Sequence, residues 1–430
     1  MTQITQTLSD FRAQLFNNKS LVFSLFFKFF ALIFGIYINR WLVTSIDTQS
    51  LLDYNLVTSY TPIILGFITF GIPILIHKYY TDNSNQNPEY ELSNIWTTFL
   101  ALRIFSFLVG LIIILLTYKL SKVNDLNFVL LTFCGQFLLI ADLGYRSVCD
   151  ALNISYKFTL TDLLNKILIV ISLFLAPVLN KMFFGTSLIM YFLTISLTIN
   201  LLVLFIDFII HFKYTRITTI SFKLIKENIK PIFLLTISAF FFFGSLDKIF
   251  LKSFGVDAST IIGYANGYKL FEIGVIIPSL TIPTIASKIK KEFNQNPKDQ
   301  KIILSKWLRR ISIFGILSGL GFYLFSPLVL MIIDPEFKYY QYSLQVIPFF
   351  AVCLITSFIG QLFYTLNIFY SKNTLEFILQ AIYATGYLIL FYFLIPLFGI
   401  YGAASAFLII HLLDLVIRIV MYKNNKLKWL

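Results

Sequence analysis

The chain has 430 residues, of which 58% are hydrophobic and only 13% charged, with a formal net charge of +13. Soluble domains run at about 45–50% apolar and about 25% charged, so a string of water-soluble domains is excluded, and most soluble enzymes with it. The basic residues recur in alternate loops rather than on one domain, which argues against a nucleic-acid partner and matches the positive-inside pattern of membrane proteins.

Residues 54–76, 182–206, 311–333, 339–371 and 377–410 contain no Asp, Glu, Lys, Arg or His. A helical crossing of a bilayer takes about 20 apolar residues. Backbone amides in hydrocarbon must be satisfied within the segment, so these runs predict helices. In chain order the predicted spans are 20–43, 51–76, 95–117, 126–149, 160–180, 187–211, 229–251, 259–286, 309–333, 341–368, 374–397 and 400–421, about twelve in all. Ile4, Leu8, Phe11 and Leu15 predict a short interfacial helix ahead of them. The first span is too long for a signal-peptide core and carries Lys28, so it reads as retained.

An even number of spans puts both termini on one side. Loops on that side carry Arg12, Lys19, Lys78, Lys157, the clusters at 213–230 and 288–310, Lys372, Lys423, Lys426 and Lys428. The opposite loops carry only Lys119, Lys122, Lys181, Lys252 and Lys338. The bias predicts cytoplasmic termini. The longest connections, 77–94, 212–228 and 287–308, lie on the same side, and none could hold a soluble catalytic domain. Cys134, Cys149 and Cys353 form no CxxC and read as packing residues. His77, His211 and His411 are isolated near span ends, and neither a metal site nor a cofactor motif is predicted.

Sliding the chain by 210 residues pairs Asp47 with Asp257, Tyr54 with Tyr264, Ile63 with Ile273, Ile72-Pro73 with Ile282-Pro283, and Lys78 with Lys288. The matches begin after the first and seventh spans. Six spans per half keep the halves in one orientation, the parallel-repeat arrangement with a pseudo-twofold axis along the membrane normal. The expected fold is therefore an all-α polytopic membrane protein of two six-helix lobes: residues 1–212, a basic linker at 213–230, and residues 231–430. Such twin bundles point to alternating access across a bilayer.

A charge at mid-bilayer costs about 2.5–3.5 kcal/mol on insertion scales, so each one needs a partner or a task. Asp142, Arg146 and Asp150 stand at i, i+4 and i+8 in the fourth span, Asp162 and Lys166 at i, i+4 in the fifth, and Asp414 and Arg418 at i, i+4 in the twelfth. Lys269 and Glu272 stand three apart in the eighth. These spacings allow self-neutralising pairs that help helices pack. Lys28, Arg103 and Asp207 have no opposite charge at helical spacing in their own spans. Lys28 either snorkels to the interface or faces a wet cavity. Candidate cavity cations are Lys28, Arg146, Lys248 and Lys269, a set that favours an anionic substrate such as pyrophosphate. Candidate ion-coupling acids are Asp142, Asp207, Asp247 and Glu272. Pro73, Pro278 and Pro283 are candidate hinges, although Pro73 and Pro283 read equally as span ends.

Residues 244–288 resemble the seventh and eighth spans of polysaccharide-export flippases, through Asp247, Gly255, Gly263-Tyr264 with Ala265, and Pro283. Residues 395–406 (IPLFGIYGAASA) resemble the same family's approach to its twelfth span, and Arg40-Trp41-Leu42 with Asp53-Tyr54 and Gly71 its first loop and second span. The family is the Wzx-like O-antigen and capsule flippase group of the MOP superfamily, which also holds MATE exporters and the lipid II flippase. The resemblance implies a cationic central cavity and an undecaprenyl-pyrophosphate-linked oligosaccharide moved across the bacterial inner membrane. It implies ion coupling, no enzymatic activity, and partners among the polymerase and chain-length proteins of the same pathway. A MATE-type drug/cation exporter is the alternative within transport. A membrane-embedded polymerase or glycosyltransferase is the alternative from another class.

Overall fold

The computed structural model describes residues 19–69, 88–117, 125–151, 155–180, 187–210, 246–370 and 372–423. The described residues form α-helices with no strand. In chain order these are α1 (Lys19–Ser45), α2 (Thr48–Thr69), α3 (Pro88–Thr117), α4 (Leu126–Ala151), α5 (Ser155–Phe174), α6 (Leu188–Ile210), α7 (Leu246–Ser253), α8 (Ala258–Gln295), α9 (Gln300–Ile333), α10 (Tyr340–Phe369), α11 (Asn373–Phe398) and α12 (Ile400–Lys423). One further turn, Ala176–Leu179, extends α5 past a break at Leu175. Seven of the helices are long and apolar enough to cross a membrane. The protein is an all-α polytopic membrane protein. The seventh predicted span is described only at its end, as α7. The predicted interfacial helix at 4–16, the 213–230 cluster and Pro73 lie outside the described residues.

The helices fall where the apolar runs fall, except that α3 begins at Pro88, inside the connection expected at 77–94, and that a second connection is largely helical. Residues 287–308, expected to be a long connection, are mostly helical: α8 runs on to Gln295 and α9 begins at Gln300, leaving only a short turn around Pro297–Asp299. Lys, Glu and Gln are good helix formers, and nothing in 288–295 stops the helix before Asn296-Pro297. Pro283 does not end the span either, since α8 passes through both Pro278 and Pro283. Each proline removes one i→i−4 bond. The hydroxyls of Ser279 and Thr281 bond back to the carbonyls of Ile276 and Ile277 in the same stretch.

The chain divides into two compact units, 1–240 and 241–430. In the first, α1 packs along α5, α6 lies against α4 and α5, and α2 contacts α3 and α4. In the second, α10 is the central element, flanked by α8, α9 and α12, while α11 pairs with α12. Its aromatic core joins Tyr268, Phe271, Phe350, Tyr387 and Phe407 edge to face and stacked. Close approach of α8 to α10 depends on Gly263. A Cβ there would lie 2.4 Å from Tyr342 Cβ and 2.9 Å from the Tyr339 carbonyl. The Ser343 hydroxyl donates to the Gly263 carbonyl at 2.9 Å across this contact. Small residues at helix contacts are the usual means of packing where lipid offers no hydrophobic drive.

The sequence repeat has a local structural counterpart. Asp47 opens α2 by accepting the Ser50 amide at 2.9 Å, and Asp257 opens α8 by accepting the Thr260 amide at 2.9 Å and its hydroxyl at 2.6 Å. Hydrogen bonding from the Ser50 amide holds the Asp47 carboxyl below its usual range. For Asp257 burial acts upward, but the bonds from Thr260 outweigh it and the carboxyl again sits low. Bonds to the charged form stabilise the fold above the ordinary carboxylate pKa and are lost as pH falls through the depressed one. Asp47→Ala and Asp257→Ala should each cost about 1 kcal/mol. In detergent melts the deficit should be constant from roughly pH 5 to 8 and close below about pH 3–4.

Candidate functional site

Charged side chains inside the first unit meet across helices. Lys28 Nζ on α1 lies 2.6 Å from Asp162 Oδ2 on α5, and the two side chains keep 23% and 17% of their exposure. Lys28 stands about 14 Å along α1 from Lys19, at 1.5 Å per residue. Spacing within one helix pairs Asp162 with Lys166; the structure adds a partner from α1. Beside this pair the Asn165 amide donates to Asn200 of α6 at 2.7 Å, both residues being buried. Asp207 of α6 is fully buried. Asp142, Arg146 and Asp150 belong to α4, and their side chains, like that of Arg103 on α3, lie outside the described residues.

The second unit gathers a larger group where α7 meets α8. Asp247 is buried and accepts the Tyr264 hydroxyl and the Lys248 amide. Lys248 is also buried, with its ammonium 5.2 Å from the ring centroid of Tyr268. A cation over an aromatic face is attracted by the ring quadrupole. Lys269 and Glu272 follow on α8, the lysine half-buried and the glutamate exposed. These four charged groups lie within electrostatic reach of one another. Lys269 is about 16 Å along α8 from Ala258. The α7–α8 segment thus brings four expected site residues together, Asp247, Lys248, Lys269 and Glu272. The arrangement holds two ammonium and two carboxylate groups around tyrosines, able to bind a charged headgroup or to exchange protons with one.

A third cluster ties α10, α11 and α12. Arg418 Nη1 and Nη2 donate to Glu376 Oε1 and Oε2 at 2.6 and 2.8 Å, and Nε donates to Asp414 Oδ1 at 2.6 Å. Asn367 donates to Glu376 as well. Arg418 and Glu376 are fully buried. Helical spacing gave Asp414 to Arg418, which the structure contains. It missed Glu376, which sits in the first turn of α11 and has no basic residue at i+3 or i+4 to draw attention to it. A charged residue just inside an apolar run was the available signal. His411 is buried against Phe271 and Phe407. No group of three metal-capable side chains occurs among the described residues.

No family model matches the chain, and no curated protein sequence does. Solved structures match over nearly all of it. The chain has the fold of MOP-superfamily transporters. A MOP superfamily transporter from Pyrococcus furiosus, described as having a binding pocket of reverse polarity that suggests a different function, aligns with TM-score 0.70 and 11% identity over 95% of each chain. An inward-facing multidrug resistance MATE family transporter aligns at 0.68 and 11% over 94% of this chain and 98% of that one. A variant of the Vibrio cholerae MATE transporter VcmN aligns at 0.67 and 13% over 98% of each.

Proposed function

We propose that this protein is a flippase for an undecaprenyl-pyrophosphate-linked oligosaccharide, working by alternating access in the bacterial inner membrane with both termini cytoplasmic. The observation that carries this reading is the partial exposure of Lys28 and Lys269 well inside apolar helices. An ammonium kept accessible in that setting costs energy unless it meets an anion. A pyrophosphate carries several charges and suits such groups, and the sugars need only a wet passage beside it. The Pyrococcus furiosus transporter, whose binding pocket is described as having reverse polarity that suggests a different function, supports reading this fold as serving more than one function. Asp247 and Glu272 are assigned to ion coupling, Glu272 also to holding Lys269, and Lys248 joins Lys269 as a cation of the cargo path.

The exposed carboxylate of Glu272 favours a second reading, a MATE-type exporter of organic cations. Thermal unfolding of the purified protein separates the two. Farnesyl pyrophosphate should raise the melting temperature by several degrees, an effect Lys269→Met removes, while ethidium leaves it unchanged. Stabilisation by ethidium alone would overturn the flippase assignment.

A further inference from the structure

The contact between Lys28 and Asp162 is short but not sealed, and this combination is informative. Ser24 stands one turn before Lys28 on α1, with its hydroxyl buried and without a hydrogen-bond partner among the described residues. Lys166 stands one turn beyond Asp162 on the same face of α5. On the α5–α6 side the Asn165 carboxamide oxygen is also buried without a partner. The neighbourhood therefore has polar groups to spare, and Lys28, one of its two partly exposed cations, is already occupied.

A wet passage that admits a lipid-linked diphosphate to Lys28 also admits anionic phospholipid headgroups, each with a single charge. An unoccupied lysine would be filled by them. Asp162 is an anion of the same single charge, fixed in place by its helix, so its effective concentration at Lys28 exceeds that of a mobile lipid. A singly charged phosphodiester gains nothing in charge on replacing it and loses the fixed geometry. A diphosphate, with at least twice the charge, gains on exchange. Displaced Asp162 keeps Lys166 at i+4, so its charge is not stranded.

We infer that Asp162 is a specificity-determining residue: a tethered counter-ion that holds Lys28 against singly charged phospholipid headgroups and yields it to a diphosphate headgroup. The inference rests on the proposed function and adds a selection rule to it. Rejection of the abundant competitor is built in as an attached rival, a form of design against the wrong partner.

The test is binding of radiolabelled farnesyl pyrophosphate to the purified full-length protein in detergent, with competitors titrated in. In the wild type, unlabelled inorganic pyrophosphate should displace the label at concentrations where phosphatidylglycerol has no effect. In Asp162→Asn, phosphatidylglycerol should displace it at a concentration at least roughly tenfold lower than in the wild type. Asp162→Glu should restore the wild-type pattern, and Lys28→Met should weaken label binding in the absence of any competitor. Phosphatidylglycerol competing as well as pyrophosphate in the wild type would overturn the inference whether or not the variants fold. So would equal resistance in the wild type and D162N. In either case retained label binding would leave the flippase reading standing. A wild type that binds ethidium and no farnesyl pyrophosphate would remove both.

Discussion

Replacing Arg418 with Met should leave little or no monodisperse protein on extraction from the membrane. Among the described residues Arg418 is the one cation donating to both Glu376 and Asp414, and both it and Glu376 are sealed from solvent. Its removal strands the Glu376 carboxylate where water cannot reach it and takes the ion partner from the partly exposed Asp414. Breaking a buried ion pair by deleting one partner costs about 3–5 kcal/mol, and here a bidentate pair and a third bond go together. The cluster ties three helices, so the loss is felt at the contacts of α10 with α12 and α11 with α12 rather than within one element. The triple variant Glu376→Gln/Asp414→Asn/Arg418→Met removes every charge while keeping the volume. It should recover most of the folded yield, because a neutral replacement of a buried ionic group often costs little. Yield by fluorescence-detected gel filtration and detergent melting temperature read both outcomes. R418M protein as stable as wild type would show that the cluster contributes packing alone.

Gly402→Ala should be nearly as damaging, although it adds one methyl group. The ideal Cβ at Gly402 would fall 2.2 Å from the Leu394 carbonyl oxygen and 2.5 Å from its carbon. Those are backbone atoms of α11, with no rotamer to escape into. Gly399, the single residue between the two helices, has φ +56° with ψ −128°, a region open only to glycine. Together they let α11 reverse into α12 almost without a loop. Forcing the helices apart should cost about 3 kcal/mol or more. Gly321→Ala is the control: no atom lies within 4 Å of its Cβ position, and removing a mid-helix glycine should be neutral or stabilising by about 0.5–1 kcal/mol. Equal melting temperatures for G402A and G321A would contradict the packing described.

These two glycines also explain a motif that the sequence offered without a reason. IPLFGIYGAASA was recognisable as a family-like stretch, and its glycines mark the tight α11–α12 reversal. The helices themselves were legible because bilayer thickness fixes their length and solvation fixes their composition. Where that constraint ends, at the aqueous ends of α8 and α9, the reading failed: charged residues do not distinguish a loop from a helix that continues into water. The repeat was legible at its caps, since Asp47 and Asp257 do the same local work at matched positions.

Pairing between helices was not legible. Lys28 and Asp162 are 134 residues apart, and Arg418 and Glu376 are 42 apart. Helical spacing reports only partners on the same helix: in this chain it finds Asp414 for Arg418, pairs Asp162 with Lys166 rather than Lys28, and misses Glu376. The gathering of Asp247, Lys248, Lys269 and Glu272 was half legible. Asp247-Lys248 and Lys269/Glu272 are local pairs on successive helices, but only the α7–α8 contact brings them together.

Transfer of a fluorescent undecaprenyl-pyrophosphate-linked oligosaccharide between leaflets of proteoliposomes tests the central claim most directly. Wild-type protein should expose the labelled headgroup on the far leaflet well above the rate of empty vesicles, and Lys28→Met combined with Lys269→Met should return it to that background. Background transfer by folded wild-type protein, in vesicles that nonetheless export ethidium, would contradict the account.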